Sequence, residues 1–279
     1  MAYIEIINAS KTYANRQVLE KVNLSIDEGE FVSVVGYSGS GKTTLIGLAS
    51  GLFAATGGQI LINGQPVNGF AEKAAIVFQN YSLLPWFSAL ENVRLAVESA
   101  YPDWTKDKTR QQAERYLEMV GLGNAFAKRP SQLSGGMRQR VAIARAFAIE
   151  PRVLFLDEPF GALDALTRAN LQQELARMCS AVGGAVTTLM ITNSVEEAIL
   201  LSDRIVPLSR GPRATLGAAI DVPLPKPRSA DLLMHDDGAI HIQARIIEFL
   251  TGFSQSAGSS AAPGRHSPAV GCVAQEAKI

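Results

Sequence analysis

The chain has 279 residues, 47% of them hydrophobic, with Lys plus Arg and Asp plus Glu at 26 each. Such a composition supports a large core and excludes bulk disorder, while the zero net charge supplies no general attraction toward nucleic acid or anionic lipid. No apolar run approaches the roughly twenty residues needed to cross a bilayer and no leader-like pattern opens the chain, so the expectation is a soluble, cytoplasmic protein.

Residues 3–10 and 18–26 alternate apolar and polar positions around a turn at Ala14-Asn15, which predicts an N-terminal antiparallel β-layer. The apolar run 31–35 then delivers Gly36-Tyr37-Ser38-Gly39-Ser40-Gly41-Lys42-Thr43-Thr44, and a helical pattern opens at Leu45 and stops near Gly51. This is GxxxxGK[ST] in full, between a buried strand and a helix. Gly36, Gly39 and Gly41 let the backbone curl until several N–H groups face one point at the positive end of a helix dipole, a nest for an anion. Lys42 adds a mobile cation for the β- and γ-phosphates of a nucleotide, and the Thr43 hydroxyl is a hard oxygen ligand for Mg²⁺.

Residues 57–67 carry a hairpin signal at Asn63-Gly64, and 74–78 form a short strand ending at Gln79. From 83 the pattern turns helical: 107–121 places Ala113, Tyr116, Leu117 and Val120 on one face, and a helix capped by Ser134 runs to just before Pro151. The apolar strand 153–156 ends at Asp157-Glu158, and a helix with Leu171, Leu175, Met178 and Val182 on one face follows. A strand at 185–192, a capping box at Ser194-x-x-Glu197 and a last core strand at 204–208 complete the alternation. The expected fold is therefore α/β, with a mainly parallel sheet of the P-loop NTPase kind, an N-terminal antiparallel β-layer and an inserted helical subdomain at about 83–150. Residues 211–228, with Pro212, Pro223, Pro225 and Pro227, read as an extended wrap and 240–250 as a helix; the Ser/Gly/Ala-rich tail, 253–279, is expected to be disordered. The domain reading is thus 1–210, 211–252 and a tail. Cys179 and Cys272 are expected to be free thiols, and His235, His241 and His266 surface residues.

Two further stretches complete the chemistry. Asp157 at a strand end can hold Mg²⁺ through water, and Glu158 can polarise a water in line with a γ-phosphate, although an isolated Asp-Glu pair also suits plain helix capping. Leu133 to Arg140, LSGGMRQR, offers a second set of bare N–H groups at a helix start, where one chain binding one triphosphate does not need them.

With these motifs in this order, the chain over residues 1–210 resembles the ATP-binding cassette family, the ATPase subunits of membrane transporters. The resemblance implies MgATP as substrate complex and gives roles by position. Tyr13 matches the aromatic that stacks on adenine, Gly36 to Thr43 the Walker A loop, and Gln79 the glutamine that senses Mg²⁺ and contacts the membrane partner. Ser134, Gly135, Gly136 and Gln139 match the signature that closes over a partner cassette's ATP. Asp157 and Glu158 match the Walker B pair, with Glu158 as catalytic carboxylate, and Ala162, Leu163 and Asp164 lie in the loop joining the two sites. It also implies head-to-tail pairing with a second cassette, identical or not, separate transmembrane permease subunits, an indirect periplasmic or lipoprotein binding protein, and a place on the cytoplasmic face of the inner membrane. A cassette acting on nucleic acid would show a coiled-coil insertion, tandem cassettes or a basic arm, none of which is present.

One position departs from the family. Where a switch histidine is usual stands Asn193, whose amide donates hydrogen bonds but has no titrating proton and a shorter reach. Weakened hydrolysis, compensated by a non-identical partner, a tolerated replacement, and a non-hydrolysing regulatory module all remain open at this stage. The stretch Asn80 to Trp86 after Gln79 is apolar and aromatic where a cassette docks on its permease, and LLPW there is similar to importers of nitrate, sulfonates, taurine, cyanate and bicarbonate. Leu201 to Arg228 looks most like the nitrate/nitrite group, with taurine or alkanesulfonate import as the alternative.

Overall fold

A computed structural model describes residues 2–181 and 186–258. The antiparallel layer is built from β1 (Ala2–Tyr13), β2 (Arg16–Asp27), β4 (Gly57–Ile62) and β5 (Gln65–Pro66) in the order β2-β1-β4-β5. Its inward residues, among them Ile4, Ile6, Leu19, Val22 and Ile26, are buried against the second sheet and α1 (Lys42–Ala49). The hairpin at Asn63-Gly64 forms as expected, both residues having positive φ, 50° and 73°.

The second sheet contains β3 (Phe31–Gly36), β6 (Ala74–Val77), β7 (Val153–Asp157), β8 (Thr187–Thr192), β9 (Arg204–Leu208) and β10 (Ile220–Asp221), in the order β10-β9-β3-β8-β7-β6. Pairing is parallel from β9 through β6, and β10 is antiparallel to β9. Strands β3, β7 and β8 are buried at every residue, which is why their sequences read as continuous apolar or Thr-containing runs rather than alternating ones. Register places Val35 beside Thr192, Ile191 beside Asp157 and Leu156 beside Val77. The loops at the carboxyl ends of four adjacent strands therefore emerge side by side, although the chain reaches them in the order β3, β6, β7, β8.

Between β6 and β7 lie α2 (Ala89–Ala100), α3 (Lys106–Met119), a 3-10 turn at Pro130–Gln132 and α4 (Gly135–Phe147). They pack around Val93, Val97, Ala113, Tyr116, Leu117 and Phe147, which forms the inserted helical subdomain. Ser88 and Glu91 make a reciprocal capping box at α2 through Ser88 N–H to Glu91 Oε2 (2.7 Å) and Glu91 N–H to Ser88 Oγ (3.2 Å). The expected box at Ser194 and Glu197 forms only by half. Ser194 Oγ accepts from the Glu197 N–H at 3.2 Å, but the Glu197 carboxylate turns inward and accepts from Thr192 Oγ1 at 2.6 Å. A buried hydroxyl with no water to serve it competes successfully for that acceptor.

Helices α5 (Ala165–Ala181) and α6 (Val195–Leu201) flank β8, and Cys179 is buried, where desolvation pushes its thiol up to about 12. Val182, Cys272 and His266 lie outside the described residues; His235 and His241 are exposed. The proline-rich wrap is extended but carries β10 and leads into α7 (Ala230–His235). The last helix, α8 (Asp237–Gly258), runs past the expected end at 250 and into the segment expected to be disordered; 259–279 lie outside the described residues.

Arg228 fastens the wrap. Buried to 7% exposure, its Nη1 donates to Ile199 O and Ser202 O at 2.6 Å each, while Nη2 donates to Val222 O and Leu224 O at 2.9 and 2.8 Å. The guanidinium thus caps the carboxyl end of α6 and holds the extended segment against it, a planar fork that lysine does not reproduce. Arg228→Met is expected to cost about 2–4 kcal/mol by stranding these carbonyls, and Arg228→Lys to recover little of it; urea denaturation of the two variants reads both.

Candidate functional site

The phosphate loop closes as its glycines predict. Gly39 and Gly41 have φ of +77° and +103°. A Cβ on Gly41 would stand 2.8 Å from Val18 Cγ1, so the left-handed turn and the close approach to β2 both demand glycine there. Lys42 begins α1 and is buried. Its ammonium donates to Gly36 O at 3.0 Å, Tyr37 O at 2.9 Å and Asn193 Oδ1, and lies 3.2 Å from Glu158 Oε1.

Around that ammonium the four loops converge. Thr43 Oγ1 donates to Asp157 Oδ1 at 3.2 Å, Asn193 Nδ2 to Glu158 Oε1 at 2.8 Å, and Gln79 Nε2 to Glu158 Oε2 at 3.4 Å. Glu158 has φ 45°, a left-handed conformation costing roughly 1–2 kcal/mol in a non-glycine residue. Its N–H is nonetheless committed to Ile191 O at 3.0 Å, so the sheet pays that strain to turn the carboxylate toward Lys42 and Asn193. Burial, the largest influence, raises the Asp157 carboxyl above its usual value, and the Thr43 hydroxyl pulls the other way.

A cleft of about 560 Å³ runs from Lys42, Gln79 and Glu158 along Ser38, Thr43 and Thr44 to Tyr13. Tyr13, 43% exposed, ends β1 with its ring edge-on to Phe53. Arg16, Val18, Gly211 and Pro212 also line the cleft. Sequence reading missed them because Val18 looks like any strand residue and Gly211-Pro212 like the start of a linker. Within the phosphate loop Ser40 Oγ is buried and has no hydrogen-bond partner among the described residues, a hydroxyl that fits a phosphate or water acceptor. The donor set Thr43 and Asp157, two hard oxygens at hydrogen-bond distance, fits Mg²⁺ held jointly with phosphate oxygens.

The second nest is elsewhere. Ser134 caps α4 by accepting from Met137 N–H at 3.2 Å, and Gly135 lies beside the Tyr81 hydroxyl, but neither lines the cleft. A Cβ on Gly136 would come within 2.5 Å of Thr167 Cγ2, so that glycine serves contact with α5. Gln139 lies one turn further along α4. It is fully buried in the helical subdomain, and neither amide atom finds a partner among the described residues. Ala162, Leu163 and Asp164 form the turn between β7 and α5, with Asp164 Oδ1 accepting from Thr167 N–H at 3.0 Å.

The ABC transporter family profile matches residues 19–161. A nitrate import ATP-binding protein, NrtD, of Synechococcus elongatus is 47% identical over 232 residues, 83% of this chain and 84% of that protein. The chain belongs to the ABC transporter family. As a cassette of that family it binds ATP and is an ATPase. A bicarbonate transport ATP-binding protein, CmpD, of Synechocystis is 44% identical over 253 residues, 89% of each chain. The dimeric post-hydrolysis structure of the ATP-binding cassette MJ0796, bound to ADP and Pi, superposes with a TM-score of 0.71 at 34% identity, covering 78% of this cassette and 98% of that one. Among the described residues no helix is long and apolar enough to cross a membrane.

The burial of Gln139 sets a test. Gln139→Met keeps the volume and removes two unpaired polar atoms, so it is expected to raise the unfolding free energy by about 1 kcal/mol, read from urea denaturation midpoints.

Proposed function

We propose that this cassette is the ATP-hydrolysing subunit of an importer of a small inorganic anion, nitrate or nitrite. It works at the cytoplasmic face of the inner membrane, paired with a second cassette and docked on separate permease subunits that receive the anion from a binding protein. The observation that carries the substrate reading is the 47% identity to a nitrate import ATP-binding protein along 84% of its length. Bicarbonate is the second reading, favoured by the 44% identity to CmpD over 89% of each chain. The exposed Trp86, beside the loop that begins at Gln79, supplies an apolar anchor for docking on the permease.

The geometry supports hydrolysis rather than binding alone. Lys42 and the N–H groups of residues 39–43 receive the phosphates, and Tyr13 receives the adenine at the far end of the cleft. Thr43 and Asp157 would hold Mg²⁺, which supplies neutralisation of phosphate charge. To bind phosphate, Lys42 gives up Asn193 and Glu158, which leaves Glu158 as the acceptor for a proton of the attacking water. Gln79 and Asn193 donate to the two oxygens of that carboxylate and fix its direction. The reach of Asn193 is thus sufficient for Glu158, and its donor persists at any pH where the protein is folded. The inter-site loop 162–164 and the start of α4, Ser134 and Gly135, complete the site of the partner cassette.

Labelled nitrate uptake in cells lacking this gene, with and without its return, tests the substrate. Loss and rescue, with competition by nitrite and none by taurine, is the expected outcome; unchanged nitrate uptake alongside lost bicarbonate uptake would favour the second reading. Asn193→Ala is expected to lower kcat for ATP about 10–100-fold with KM within about twofold, as for loss of a group that orients the catalytic base. Asn193→His is expected to make turnover titrate near pH 6.5, whereas the native residue contributes no such step, and a pH profile of turnover separates the two.

A further inference from the structure

Glu197 is a buried carboxylate to which hydrolysis, as derived above, gives no task. It is 5% exposed, on the first turn of α6, and its two oxygens serve different partners. Oε2 accepts from Thr192 Oγ1 at 2.6 Å, and the same Thr192 oxygen accepts from the Ser194 N–H at 3.0 Å. Asn193 lies between those two residues, so Glu197 fixes the backbone on both sides of the amide that touches Glu158 and Lys42. Oε1 lies 3.9 Å from Nε of Arg168 on α5, a buried nitrogen with no hydrogen-bond partner of its own. The other arm of that arginine, Nη2, donates to Leu163 O at 3.0 Å, in the loop between β7 and α5.

A carboxylate needed only to cap α6 would stay at the helix surface and bond the Ser194 N–H, as Glu91 does for Ser88 in α2. Glu197 instead accepts the cost of burial to stand between one hydroxyl and one half-exposed guanidinium from separate elements, so its charge serves the placement of two loops rather than a helix end. We infer that Glu197 and Arg168 are positioning residues that bridge the loop carrying Asn193 to the inter-site loop 161–164 within one chain, so that a shift of either loop is passed to the other. The inference rests on the hydrolytic reading of Asn193 and Glu158, and is independent of which anion is transported.

The test uses the full chain. Glu197→Gln keeps the volume and an acceptor for Thr192 but removes the charge that faces Arg168; Arg168→Gln removes the other partner. Hydrogen exchange of the backbone amides of 161–168, measured in each variant beside the native protein, is the first readout. Glu197→Gln is expected to speed that exchange about tenfold although residue 197 lies in another element, and the double variant to do no more than either single one, the signature of one shared interaction. The second readout is MgATP turnover, where each single variant is expected to lower kcat about tenfold with KM within about twofold and the pair to be non-additive. Exchange of 161–168 unchanged in Glu197→Gln would overturn the bridge, as would additive effects of the two substitutions. A thermal melt of each variant guards against general loosening: faster exchange spread evenly over β1 and α3 would also overturn it. Absence of nitrate uptake would leave these outcomes standing, so the two readings fail separately.

Discussion

A buried ammonium ties the molecule together. Lys42 touches carbonyls of its own loop and, across 151 positions of sequence, the amide of Asn193, with Glu158 at 3.2 Å. A cation at 4% exposure is tolerable only where several acceptors replace water, and here those acceptors come from the carboxyl ends of β3, β7 and β8. The strand order β3-β8-β7 satisfies that requirement, because it sets the three loops next to one another. The same order brings Glu158 and Asn193 to the one ammonium, so the two side chains share a cation that neither strand could supply alone.

The loop bearing Asn193 is held from both sides. Its amino-terminal side is pinned through Thr192 to Glu197, and the far end of α6 is capped by Arg228 reaching in from the wrap. An apparently plain linker therefore braces the helix that follows Asn193, the residue bonded to Lys42 and Glu158 of the cleft, while Gly211 and Pro212 of the same stretch form part of the cleft wall. Helix α8 packs on α6 through Ala239, Ile242 and Ile246 and adds to the same contact.

The two anion nests differ in kind. In the phosphate loop the backbone is forced by positive φ at Gly39 and Gly41 and backed by a buried cation. At Ser134 the nest is a capped helix start beside Tyr81 and α5, and neither Gly135 nor Gly136 has a positive φ. That asymmetry fits one tight nucleotide site per chain and a weaker half-site that becomes useful when a second molecule supplies the rest.

Much of this was readable in the chain because it is encoded over a few residues. The phosphate loop, the Asn63-Gly64 turn, the Ser134 cap and the apolar strand ending at Asp157 and Glu158 each follow from local backbone preference or from the absence of polar side chains in a doubly covered strand. The sequence by itself determined the family's motifs and the mainly parallel α/β sheet that carries them. Tertiary structure decided where polar side chains turn: Gln139 into the core of the helical subdomain, Glu197 to Thr192 rather than to its helix cap, and Arg228 from a linker onto the carbonyls of Ile199 and Ser202 at the end of α6. The direction of a polar group is set by whichever acceptors or donors packing leaves dry nearby, and those belong to segments that local sequence does not see.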